Sequence, residues 1–68
     1  MTDKELNIKR TMLRAALLNM DNKGELHKVS ETIGISGGIE ELRSMIKNPD
    51  KICIMDIGII GMHFGIYL

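Results

Sequence analysis

The sequence predicts a mainly α fold, with three helices over residues 1–47 followed by an apolar C-terminal β-strand or hairpin. Three observations carry that expectation. Apolar residues recur at helical spacing through the first 47 positions. Breaks containing glycine or proline fall near residues 24, 34 and 49. Beyond them, the composition turns to isoleucine and glycine, which suits strands and bends better than a helix in water.

The first helix is expected over residues 2–20. Thr2-Asp3-Lys4-Glu5 has the capping-box pattern, in which Thr2 and Glu5 satisfy orphan N–H groups. Leu6, Leu13, Leu17 and Met20 share one face, widened by Met12 and Ala16, with Arg10 and Arg14 along its border. Asp21-Asn22-Lys23-Gly24 stops it, since glycine accepts the left-handed conformation at a helix end. A second, short helix covers residues 25–34, with Leu26, Val29 and Ile33 inward. Ser36 is placed to cap a third helix from about Gly37 to Lys47, which turns Ile39, Leu42, Met45 and Ile46 inward. Asn48-Pro49-Asp50 ends it, because proline disfavours α geometry in the residue before it.

The tail is read as β. Ile52-Cys53-Ile54-Met55 suits a strand, Asp56-Ile57-Gly58 a turn, and Ile59-Ile60 with Phe64–Leu68 a returning strand. The seventeen residues from Ile52 to Leu68 also carry Gly61-Met62-His63-Phe64-Gly65, a GxxxG match of the kind that packs transmembrane helices. A small membrane-anchored protein is therefore one alternative.

Size and charge narrow the function classes. A chain of 68 residues and 7.6 kDa is one small domain. One cysteine forms no internal disulfide, and no zinc-ligand set is present. A multi-domain enzyme, a disulfide scaffold and a zinc finger are excluded, and no cofactor or metal is expected. No secretory signal opens the chain, and the lone Cys53 suits a reducing, cytoplasmic setting. Catalysis is not expected. Cys53, Asp56 and His63 lie in one short apolar segment, and the chain leaves little mass for a substrate cleft. Self-association or a partner is the expected remedy for so small a core.

Leu26-His27-Lys28-Val29-Ser30-Glu31-Thr32-Ile33-Gly34-Ile35-Ser36 resembles the first helix and turn of helix-turn-helix domains. Ser30, Gly34, Ile35 and Ser36 match the pattern of a small residue, the turn glycine, an apolar residue and a serine. The order of helices followed by an apolar hairpin is similar to that of winged-helix domains. The likeness spans residues 24–47, or 24–68 with the wing, and departs from the pattern at Ile39, which arrives one residue early.

The resemblance implies a DNA-binding regulator of the kind encoded by phages and bacteria, acting on duplex DNA as an oligomer. Ser36, Gly37, Gly38, Arg43 and Lys47 would then approach the groove, with Arg10, Arg14 and Lys28 on phosphates. Charge pulls the other way. Nine basic and nine acidic residues cancel, and Glu40 and Glu41 stand where a recognition helix meets phosphates. The alternative is a protein-binding inhibitor or adaptor. It would use Glu40 and Glu41 with the apolar residues Ile52, Ile54, Ile59, Phe64 and Tyr67.

Overall fold

The computed structural model describes residues 2–66. Four helices run through them: α1 (Asp3–Asn22), α2 (Leu26–Ile33), α3 (Gly38–Lys47) and α4 (Ile54–Phe64), with one 3₁₀ turn at Pro49–Lys51.

The caps explain the boundaries. Thr2 Oγ1 accepts from the Glu5 N–H at 3.2 Å and starts α1. The helix runs two residues past the expected stop before Lys23 closes it. Gly34 ends α2 at φ 71°, a conformation that costs glycine little, and its N–H returns to Ser30 O at 2.9 Å. At the start of α3 the expectation for Ser36 fails. Gly37 occupies the cap position, and no side chain caps that helix. Glu40 and Glu41 fill its first turn instead, where a carboxylate complements the positive end of the helix dipole. Asn48 before Pro49 adopts φ −130° and ψ 80°, outside the helical region.

The expected β-strand, hairpin or wing over residues 52–68 is overturned. No strand occurs among the described residues, and positions 54–64 form α4. The physical reason lies at both ends of the segment. The Asp56 carboxylate, three residues into the helix, accepts from the Cys53 N–H at 3.0 Å and completes half of a capping box. At the far end Gly65 takes φ 74°, and two hydrogen bonds close the last turn: Gly65 N to Met62 O at 3.3 Å and Ile66 N to Gly61 O at 2.8 Å. Between them Ile57, Ile60, Gly61 and Phe64 repeat at helical spacing, the first three buried. Packing against α1 and α2 outweighs the helix penalty of the internal glycines, about 1 kcal/mol each.

The core draws on every element. Leu13 and Leu17 of α1 meet Leu26 and Val29 of α2, Leu42, Met45 and Ile46 of α3, and Ile57 and Ile60 of α4. Ile52 and Ile66 close it from either side of α4. Burying each such side chain stabilises the fold by about 1.5–3 kcal/mol. The radius of gyration is 10.9 Å, against about 11 Å for a folded chain of this length. The accessible surface is 4357 Å², close to the ~4,300 Å² of a folded monomer of this mass. A single copy therefore closes its own core.

Candidate functional site

The arginines expected on phosphates serve the fold. Arg10 and Arg14 stand one turn apart on α1. Arg10 Nε donates to Ile52 O at 2.6 Å, and Arg14 Nε donates to Ile46 O at 2.8 Å. Ile46 lies in the last turn of α3, whose terminal carbonyls have no partner within their own helix. Both guanidiniums are partly buried, and both hold α1 to backbone from the second half of the chain.

The remaining basic positions lie on exposed surface. Lys28 stands 3.5 Å from Glu25. Arg43 lies 3.9 Å from Asp21 and 3.7 Å from Glu40. Lys47 sits in the last turn of α3, where a cation complements the helix dipole. Ser36 and Gly37 are exposed at the turn before α3. Glu41, in the first turn of α3, brings its Cβ and carboxylate against the open side of Gly37. An acidic group thus stands over the residues that would approach a groove.

The apolar candidates divide sharply. Ile52 is fully buried and offers nothing to a partner, and Phe64 is half-buried against the core. Tyr67 lies outside the described residues. Ile54 and Ile59 do face outward, 49% and 54% exposed. Met55 and Met62, which sequence reasoning left out of the site, are the most exposed large apolar residues among those described, at 72% and 68%. Met55, Ile59 and Met62 are spaced i, i+4 and i+7, so they form one stripe along α4, opposite Ile57, Ile60 and Gly61. Helical spacing would have grouped these three on one face once the segment was read as a helix, without telling the exposed face from the buried one.

Beside the stripe, α4 and the α2–α3 turn enclose a cleft of about 550 Å³. Ile33, Ile35 and Ile59 supply its apolar lining, while Glu41 and Asp56 bring two carboxylates and no basic residue contributes. The cleft joins Glu41 of the acidic third helix to Ile59 of the C-terminal segment. Glu40 lines a separate shallow surface with Arg43, Ser44 and Lys47.

The nucleophile pattern is not assembled. Cys53 caps the start of α4 and His63 lies in its last turn, ten residues apart and about 15 Å along the axis. Among the described residues no group of three metal-ligating side chains converges. The GxxxG match has a local cause: Gly65 forms the left-handed cap, and a Cβ on Gly61 would lie 2.7 Å from Ile66 O. Among the described residues no helix is long and apolar enough to cross a membrane.

No known family model matches the sequence, and comparisons with curated proteins and with solved structures likewise give no match.

Proposed function

We propose that this chain is a small, non-enzymatic protein-interaction module, an adaptor or inhibitor. Its working surface is the outward face of α4 with the acidic cleft at its edge. The observation that carries the reading is the stripe Met55, Ile59 and Met62 with Ile54 beside its start, each about half exposed or more; the other exposed large apolar residues among those described, Ile8 and Met12, are on α1. Large apolar groups gathered in one patch mark association surfaces, whereas scattered ones do not. Methionine suits such a surface because its flexible thioether adapts to the partner's shape. Glu41 and Asp56 in the adjoining cleft select an occupant that brings a basic group beside its apolar residues.

The DNA reading has less support. Its two best-placed arginines are spent on backbone carbonyls, and the glutamates of α3 repel phosphate. The test pairs two probes on the isotope-labelled full chain. An amphipathic leucine–lysine peptide should shift the resonances of Met55, Ile59, Met62 and Glu41, and Glu40→Lys with Glu41→Lys should weaken that response. A random DNA duplex at about 50 mM salt should leave the spectrum unchanged, since low salt favours any phosphate contact. Salt-sensitive duplex binding that perturbs Arg43 and Lys47 would overturn the proposal.

A further inference from the structure

We infer that the occupant of the α4 face is a second copy of this chain, its α4 packed antiparallel to the first about a two-fold axis. The inference rests on the interaction reading above and names the partner.

The argument begins with the order of groups on the helix. Asp56 and His63 are seven residues apart, so they share one long edge of the Met55-Ile59-Met62 stripe, near its opposite ends. A two-fold axis lying in the interface brings like edges together and reverses their direction. Asp56 of each copy therefore meets His63 of the other, an acceptor beside an imidazole N–H. A parallel pair, whose axis runs along the helices, would place the two Asp56–His63 edges on opposite sides of the contact and align the two helix dipoles. The antiparallel pair opposes them, with the acidic first turn of one α4 beside the last turn of its mate.

The apolar residues follow the same symmetry. With the axis at position 59, the two Ile59 side chains interdigitate at the centre, and the Met55–Met62 and Asp56–His63 pairs across the copies each fall within one residue's rise of register. Nothing on the stripe is charged, so antiparallel pairing strands no ion in the contact. The whole chain has a formal net charge of zero, so two copies approach without overall repulsion.

The size of the contact sets its strength. Eleven helical residues span about 16 Å. One such helix pair buries less than the roughly 1,200 Å² of a stable interface. The dimer is therefore a rapidly exchanging one, with dissociation in the micromolar range.

Sedimentation of the full chain from about 10 µM to 1 mM spans that range. The mass should rise from 7.6 kDa toward twice that value. Ile59→Glu should hold the chain monomeric with an unchanged helical circular-dichroism spectrum. Met62→Glu is the second variant should the first unfold. Direction is tested on a Cys53→Ser background by mixing Met55→Cys with Met62→Cys under mild oxidation. The mixed cross-link should exceed either self-cross-link. A dominant Met55→Cys self-cross-link overturns the antiparallel arrangement, and unchanged dimerisation of folded Ile59→Glu overturns the α4 contact. A wild-type monomer throughout that still binds the leucine–lysine peptide on α4 overturns self-pairing and leaves the interaction module standing. A monomer that ignores the peptide overturns both.

Discussion

The Nε of Arg14 donates to the carbonyl of Ile46 at 2.8 Å, fastening the middle of α1 to the last turn of α3. The bond spans 32 residues of sequence. Its acceptor is a helix-end carbonyl that would otherwise be left without a partner. Arg10 repeats the device one turn earlier on Ile52 O. The two arginines differ in kind from Arg43, whose carboxylate neighbours lie at 3.7 and 3.9 Å on open surface.

That difference is measurable. Arg14→Met keeps the aliphatic stem and removes the donor, and should cost about 1.5–3 kcal/mol, the range for a hydrogen bond from a charged group. Arg10→Met should behave similarly. Arg43→Ala should change stability by less than about 0.5 kcal/mol, because exposed ion pairs contribute little. Urea unfolding of the three variants, compared by midpoint at constant slope, checks the order.

Gly61→Ala should destabilise the chain, although alanine is the better helix former. In an open helix the exchange gains about 1 kcal/mol. Here the new Cβ would sit 2.7 Å from Ile66 O, a backbone atom that moves only with the chain. Overpacking of this kind costs about 1–3 kcal/mol. Thermal unfolding gives the sign, and a rise in melting temperature would contradict the close approach.

Asp56→Asn tests the start of α4. The carboxylate accepts from the Cys53 N–H at 3.0 Å in the first turn. Asparagine keeps a weaker acceptor and loses the charge that favours this helix end, for an expected loss of about 0.5–1 kcal/mol. Amide hydrogen exchange should quicken first at Cys53 and in the turn that follows it.

Ile60→Ala and Ile59→Ala form a matched pair one residue apart. Ile60 is fully buried and Ile59 more than half exposed. The first should lose about 2–5 kcal/mol, enough to unfold much of a small domain. The second should leave monomer stability within about 0.5 kcal/mol. Equal losses would mean that α4 is rotated or is not helical.

The first three helices were legible in the sequence because period and punctuation agree there. Leu13 and Leu17, Leu26 and Val29, Leu42 and Met45 each recur at helical spacing, and Gly24, Gly34 and Pro49 mark the breaks. The tail misleads because α4 is apolar on both faces. Met55 and Ile59 outside look like Ile57 and Ile60 inside, so polarity marks no face, and β-branched residues with glycines tip the reading toward strands. Asp56 near one end and Gly65 at the other were the readable signs of a helix. The arginines were legible as a pair on one border, but their acceptors are main-chain atoms that no sequence pattern displays. The candidate surface was half visible, through Ile54 and Ile59. Met55 was hidden by the strand assignment, and Met62 fell between the two pieces of the expected returning strand.

The carbonyl acceptors of Arg10 and Arg14 bear on how this chain tolerates change. Every residue type carries a main-chain oxygen, so replacing Ile46 or Ile52 preserves the acceptor provided the backbone stays in place. Positions 10 and 14 have no such latitude, because the donor must reach from α1 and stay protonated. The constraint is lopsided: random mutagenesis should find the arginines nearly irreplaceable, while positions 46 and 52 accept other aliphatic residues of similar volume.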